Sequence, residues 1–549
     1  MSEPLSTPSS VHDVVITGGG LAGLTLALQL RAAMPDLDVR VLERRAGPAP
    51  AAAHKVGESS VEIGAHYFAE TLGLRPHLDA CHLRKFGFRF FFSEGRRDLT
   101  GVTELGASRF LSTPSWQIDR GVFENFLEEE VVRRGGRVDT GTVVKRIAIA
   151  EGRGRLAATD VHRVEIERDG ERTTIGARWL VDASGRAGLL KRKLGLAEDN
   201  AHDANAVWFR LSHRLEIDTW VTDRGWRQRC SPAARWMSTN HLCGEGYWLW
   251  LIPLGSGAHV VAHSVGIVAD AATHPLATMN SFERAMEWIE KHQPSVHDAV
   301  SRMLADDPDA VMDFAYFKNF SYGCKQIFSS DRWALTGEAG WFLDPFYSPG
   351  SDFIAIGNTF TTELIRAERA GQPIRTQALF FGELFRSFYE STLTLYQDQY
   401  PLFGNERVMP VKVLWDYTYY WGVLCQLFFQ GRLTDRAMIT KLQAPLKRAK
   451  DLNERVQSVL REWGRAGDGR LHPTGTMLDQ ASLPWFAELN RGLRDTLDDA
   501  AFEARIVANV AQLATLANEI VAMAAADRGP EAARPAGTLP ASMLFGIAA

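Results

Sequence analysis

The stretch Val14-Val15-Ile16-Thr17-Gly18-Gly19-Gly20-Leu21-Ala22-Gly23 governs how the rest of the chain is read. Its β-branched start predicts a buried strand. A G-x-G-x-x-G turn follows at once, and Leu24-Thr25-Leu26-Ala27-Leu28-Gln29-Leu30 continues at helical spacing. Val39-Arg40-Val41-Leu42 predicts a second strand, with Glu43 at its end. Strand, glycine turn, helix and strand make one βαβ unit, the context that gives this motif its meaning. Gly18 permits the tight turn, Gly20 lets a pyrophosphate approach the backbone, and Gly23 lets the helix pack close to the strand. Leu21 and Ala22 begin the helix, whose free N–H groups and partial positive charge suit phosphates. Glu43 is placed to accept hydrogen bonds from ribose hydroxyls.

The composition fits an ordinary globular protein. Of 549 residues, 45% are apolar and 23% charged, and 61 Lys+Arg against 66 Asp+Glu leave a net charge of −5. A chain of this length predicts two or three domains. The acidic balance argues against nucleic acid as the main partner. Five scattered cysteines with no CxxC pair suggest neither a disulfide framework nor a metal site. A reducing cytoplasm is the expected compartment. The N-terminus lacks the pattern of a secretory signal. No run of about 18 apolar residues predicts a transmembrane helix. The nearest, Val411 to Phe429, is broken by Lys412, Asp416 and Gln426. Peripheral membrane contact stays open.

The expected fold class is α/β: a Rossmann-type dinucleotide-binding domain, an interleaved substrate-side β-sheet and a helical C-terminal region. The expected boundaries are 12–80, 115–200 and 330–365 for the first, 81–114 and 201–329 for the second, and 366–525 for the third. Segments 1–11 and 526–549 are expected to be flexible tails. Tyr247 to Ile252 and Val260 to Val268 are expected to pair through a Gly255-Ser256-Gly257 turn.

Three further segments name the dinucleotide. Val181-Asp182-Ala183-Ser184-Gly185-Arg186 resembles the second FAD motif of glutathione-reductase-type flavoproteins, and Leu335-Thr336-Gly337-Glu338-Ala339-Gly340 resembles their third. Gln117-Ile118-Asp119-Arg120 resembles the segment carrying an FAD-contacting arginine in aromatic hydroxylases. The resemblance implies FAD, with Arg120, Asp182, Gly337, Glu338, Pro345 and Gly350 joining the glycine turn as its binding residues.

Trp248-Leu249-Trp250-Leu251-Ile252-Pro253 reads as WxWxIP, and Phe342 to Gly350 matches FxxPxxSxG. With these motifs the chain resembles the flavin-dependent halogenases of the tryptophan-halogenase-like family. The resemblance implies that Trp248 and Trp250 lie beside the flavin, and that Ser348, Gly350 and Ser351 border a halide site. Gly57-Glu58-Ser59 resembles the family's GES segment, and Lys85 precedes a strand-like Phe86-Gly87-Phe88-Arg89-Phe90. Lys85 is therefore the candidate catalytic lysine, with Lys55 as its nearest rival. The implied reaction uses FADH2 from a separate NAD(P)H-dependent flavin reductase, O2, and chloride or bromide. A flavin C4a-hydroperoxide would yield hypohalous acid, which Lys85 directs onto an electron-rich aromatic ring.

Two positions depart from the family. Indole-halogenating members carry a glutamate where Tyr347 stands, so the chain is closer to members acting on phenols, pyrroles or carrier-tethered rings. Pro349 stands where a backbone N–H donor to halide is usual, and proline has none. A monooxygenase or oxidoreductase on the same scaffold, without halide, is the alternative. The aromatic cluster Trp415 to Trp421 reads as core packing, as a cap on a substrate cavity, or as a docking surface for a carrier protein or membrane. No metal site is expected.

Overall fold

The structure, a computed structural model, describes residues 5–52, 55–150, 152, 157, 159–256, 259–466 and 475–527. Strand Val11–Thr17 is the centre of the first sheet. It runs parallel to Glu171–Asp182 on one side and to Val39–Leu42 on the other. Its side chains alternate between two cores: Val14 and Ile16 face one, Val15 the other. Burial on both faces explains the unbroken apolar run, since a parallel strand is covered on each side. Arg137–Asp139 and Trp333–Leu335 extend the parallel part, while Val143–Ala148 and His162–Arg168 form an antiparallel extension. The helix Leu21–Ala33 packs against helices Arg120–Arg133 and Gly350–Arg369. The fold is the α/β, Rossmann-type arrangement.

An eight-stranded sheet forms the second layer, in the order Val311–Phe317, Ala204–Leu211, His259–Asp270, Tyr247–Ser256, Thr239–Gly244, Phe88–Phe91, Glu104–Gly106, Met477–Asp479. Tyr247–Ser256 pairs antiparallel with His259–Asp270 as the alternation requires, and Gly257 of the expected turn lies outside the described residues. Period-two geometry sends Trp248, Trp250 and Ile252 to one face and Leu249 and Leu251 to the other. The last strand, Met477–Asp479, comes from the region expected to be helical. It pairs with Glu104–Gly106 and covers what would be an open sheet edge.

Helices fill the C-terminal region. Gly350–Arg369 begins well before residue 366, where the helical region was expected to start, directly at the end of the FxxPxxSxG loop. Val408–Tyr419 runs into a π-helical turn, Tyr420–Cys425. Lys412 and Asp416, which interrupt its apolar run, are buried and paired, with Lys412 Nζ 2.9 Å from Asp416 Oδ2. Asp499–Asp527 is long and apolar enough to cross a membrane by length and composition alone. Its Phe502, Ile506, Val510, Leu513 and Leu516 are buried, and it packs against Gln443–Ala466 of the same chain.

The expected tails differ where they are described. Ser9 N–H donates to Thr174 O at 2.8 Å, and Leu5 is buried, so residues 5–10 are held against the first sheet. Asp527 accepts from Trp463 Nε1 at 3.1 Å; residues 528–549 lie outside the described residues.

Candidate active site

The glycine turn sits at the C-terminal end of strand Val11–Thr17. Gly18 has φ +113°, and a Cβ there would lie 2.2 Å from Ala183 O. A Cβ on Gly23 would lie 2.1 Å from Gly18 O. Gly20 differs: nothing stands within 4 Å of where its Cβ would be. That open side faces a cavity of about 340 Å³ whose wall includes Gly20, Leu21, Ala22, Arg120, Gly337 and Glu338. Pro345, Ser348, Gly350, Ser351, Trp248 and Trp250 complete its far side. Residues scattered over more than 300 positions of sequence thus converge on one space.

Four of the expected cofactor residues are not on that wall. Gly18 and Gly23 shape the turn from behind. Glu43 accepts the N–H groups of Gly19 and Arg45, each at 2.7 Å, and so braces the turn. Asp182, expected among the cofactor residues, is held by protein donors. It is fully buried and accepts from Thr17 Oγ1 (3.1 Å), Ser184 N (3.0 Å) and Leu190 N (2.7 Å). With those bonds formed it fixes the second motif rather than offering itself to a ligand.

A dinucleotide fits this cavity. Arg120 donates to Val56 O at 2.8 Å and to Glu124 at 2.7 Å, yet its buried Nε has no partner. The Gly20 side is open, and helix Leu21–Ala33 presents its N-terminal N–H groups there. Bound FAD would be held by this turn, with Arg120, Gly337 and Pro345 along its length.

The indole pair is fixed by hydrogen bonds. Trp248 Nε1 donates to Tyr400 Oη at 3.2 Å, and Trp250 Nε1 to Ser264 Oγ at 3.0 Å. Tyr400 in turn donates to Asp344 at 2.5 Å, which also binds His202 at 2.8 Å. A Cβ on Gly266 would lie 2.1 Å from the Trp250 ring. Gly266→Ala is therefore expected to push the indole into the cavity and to cost about 1–3 kcal/mol of stability. Thermal melting and the flavin dissociation constant check it; an unchanged Kd would show that Trp250 does not border the flavin.

Lys85 is 4% exposed. Its Nζ donates to Ser59 Oγ at 2.8 Å and to Ser60 O at 3.1 Å, and stands 3.4 Å from the centroid of the Phe88 ring. Burial holds its amine well below the ordinary lysine value, at about 7, against the opposing pull of Glu62 and Asp352. Arg84, its neighbour, points outward over Phe110. Lys55 instead forms an ion pair with Glu124.

A second cavity, of about 60 Å³, lies beyond. Phe88, Phe353, Tyr396, Tyr417, Tyr419 and Tyr420 give it aromatic walls. Pro349 borders both cavities; Ser348, Gly350 and Ser351 face the first, Tyr347 and Asp352 the second. Segment 347–352 is thus the partition. Lys85 lines neither cavity itself, but its partner Ser59 lines the first and Phe88, over whose ring it stands, the second. Within the partition Ser348 adopts φ +52°, and Pro349 caps helix Gly350–Arg369. The N–H groups of Asp352 and Phe353 turn back to Pro349 O at 3.1 Å. The first-turn N–H groups of Gly350 and Ser351 have no intrahelical acceptor.

Motif reading missed Glu58's partner Arg210 (2.7 Å), the Asp344–His202–Tyr400 bracket, and the buried carboxylates Glu62 and Asp352. Asp352 stands two residues after the FxxPxxSxG loop, and that adjacency was the available signal. The aromatic cluster divides: Trp415 and Trp421 are core, while Tyr417, Tyr419 and Tyr420 line the second cavity. Among the described residues no cluster of metal ligands occurs.

Comparison with known proteins agrees with this layout. Residues 11–235 match the family model described as FAD binding domain. The flavin-dependent halogenase chlA of Dictyostelium discoideum is 25% identical over 441 residues, covering 75% of this chain and 70% of that protein. The 1H-pyrrole-2-carbonyl-[peptidyl-carrier protein] chlorinase of Pseudomonas fluorescens is 25% identical over 62% of this chain and 72% of its own. Among solved structures, an L111Y mutant of the halogenase PltM in complex with FAD superposes with a TM-score of 0.64 at 17% identity, over 93% of this chain and 96% of that one. The glycine turn, the FAD-binding match and these relatives together mark the chain as an FAD-dependent oxidoreductase similar to the flavin-dependent halogenases.

Proposed function

We propose that this protein halogenates an electron-rich aromatic ring, using reduced FAD from a separate NAD(P)H-dependent reductase, O2 and a halide. One observation carries the reading: a buried lysine with a lowered amine pKa is bonded to a residue lining the large cavity and stands over a ring lining a second, aromatic-walled one. Bound reduced FAD would supply oxygen activation. The chain's own groups do the rest. The free N–H groups of Gly350 and Ser351, at the start of a 20-residue helix, favour a halide on the flavin side of the partition. They offset the donor lost at Pro349. Ser348, in its left-handed conformation, borders the same space. Lys85, anchored by Ser59 and Ser60, holds the oxidised halogen at the seam and aims it into the second cavity. There Phe88 and the tyrosines stack an aromatic ring.

Phenols, pyrroles and carrier-tethered rings all suit such walls, since each is activated by its own heteroatom. The carrier-tethered pyrrole named for the Pseudomonas relative supports including that class. Tyr347, hydrogen-bonded to Asp416 at 2.8 Å, and Pro349 favour one second reading, a monooxygenase that needs no halide. The test is halide oxidation. Purified protein is supplied with FAD, a flavin reductase, NADH, O2 and bromide, and oxidised bromine is trapped with a β-diketone. Bromide-dependent trap bromination is expected. Oxygen uptake indifferent to bromide, with no trapped bromine, would move the protein to the monooxygenases.

A further inference from the structure

Aromatic substitution must dispose of a ring proton, and the second cavity is walled mainly by apolar groups. Two of its lining residues carry carboxylates, Asp416 and Asp352. Their surroundings separate them. Asp416 is neutralised: it pairs with Lys412 at 2.9 Å and accepts from Tyr347 at 2.8 Å and Gln457 at 2.7 Å. Asp352 has neutral partners only, Gly64 N–H at 2.8 Å and the Tyr420 hydroxyl at 2.5 Å. No salt bridge reaches it among the described residues. Each oxygen accepts one bond, so each keeps a lone pair. The approach of its segment to Gly64 is close enough that a Cβ there would lie 3.2 Å from Asp352 Oδ1 and 2.2 Å from Ser351 Oγ.

Resting on the halogenase reading, we propose that Asp352 is the base that removes the ring proton, oriented by Tyr420. The step balances as follows. The ring's π pair forms the carbon–halogen bond to hypohalous acid. The halogen–oxygen bond breaks, and its electron pair leaves as hydroxide. The C–H pair returns to the ring as the proton passes to a carboxylate oxygen of Asp352. That proton then neutralises the hydroxide equivalent, so arene and hypohalous acid become haloarene and water. Burial pushes the Asp352 carboxyl up to about 8, so its carboxylate form is a stronger base and bromination should rise with pH toward that value. Tyr347 supplies no carboxylate from its own place in the partition. Glu62, buried with one carboxylate oxygen unpartnered, is the competing base.

The test uses phenol and ring-deuterated phenol with bromide. In the parent enzyme, carbon–bromine bond formation is expected to limit the step, with an isotope effect near unity. Asp352→Asn is expected to slow phenol bromination roughly a hundredfold and to reveal a primary isotope effect. Bromide oxidation measured with the trap, without phenol, should be unchanged. Glu62→Gln should show no isotope effect. A second variant, Tyr420→Phe, keeps the carboxylate and removes its hydroxyl donor. The groups facing Asp352 are then Lys85, Glu62, Tyr396 and Cys425. Loss of the donor is expected to raise the pH midpoint of bromination. Asp352→Asn with unchanged turnover, slowing without an isotope effect, an isotope effect in Glu62→Gln instead, or an unmoved midpoint in Tyr420→Phe would each overturn the assignment. Absence of bromide oxidation in the parent would overturn the halogenase reading itself, and is read separately.

Discussion

Lys85→Met is expected to abolish halogenation of an aromatic substrate while leaving oxidation of reduced flavin and of bromide intact. The loss in kcat should be on the order of 10²–10⁴, the range for removing one positioned acid–base group. Methionine keeps an unbranched chain out to Cε, so most of the packing survives. What disappears is the Nζ bonded to Ser59 and Ser60. A variant that brominates phenol at the parent rate would remove Lys85 from the account.

The same substitution has a stability signature. The Lys85 amine has an ordinary value of 10.5 in the unfolded chain and is held at about 7 in the fold. Below pH 7 it is protonated in both states, and the fold carries the full cost of a buried charge. That cost shrinks as pH rises from 7 to 10.5 and vanishes above. Lys85→Met should therefore melt higher than the parent at pH 6, with the difference narrowing toward pH 9. Melting curves at the two pH values check this, and a difference that widens with pH would contradict it.

Two glycines of one turn should fail in different ways. Gly18→Ala places a Cβ 2.2 Å from Ala183 O at φ +113°, so the cofactor-free protein itself should lose stability, by about 1–3 kcal/mol, and FAD binding should weaken at least a hundredfold. Gly20→Ala meets no protein atom within 4 Å. It should leave the melting temperature of the cofactor-free protein unchanged and weaken FAD binding alone, because its methyl group enters the space reserved for the pyrophosphate. Flavin fluorescence titration and melting of the stripped protein separate the two. Equal loss of stability in both variants would mean that Gly20 does not face the cofactor.

These glycines also mark how far sequence alone carries. Val14 to Gly23 is legible because a buried parallel strand, a positive-φ turn and a helix start each leave a local residue signature. The WxWxIP face is legible because strand period two sends Trp248, Trp250 and Ile252 to one side. Lys85 was locatable by its neighbours, but not its environment: burial against Phe88 and Ser59 depends on segments distant in sequence. The bonds of Asp182 were hidden for the same reason. A carboxylate in a motif looks free until the Thr17, Ser184 and Leu190 donors that occupy it are placed in space. The second cavity left almost no trace. Its walls come from Phe88, the partition at 347–352 and the aromatic cluster near 420, and only tertiary packing brings them together. The early start of helix Gly350–Arg369 escaped because Pro349 and Gly350 read as loop residues. Proline is nonetheless suited to a helix start, where its missing N–H costs nothing.

The most direct test of the account is the mass of the product formed from phenol with FAD, a flavin reductase, NADH, O2 and bromide. The account predicts a brominated phenol, carrying bromine's paired isotope pattern, that disappears in Lys85→Met while trapped bromine persists. A product that gains one oxygen atom, with or without bromide, would contradict it.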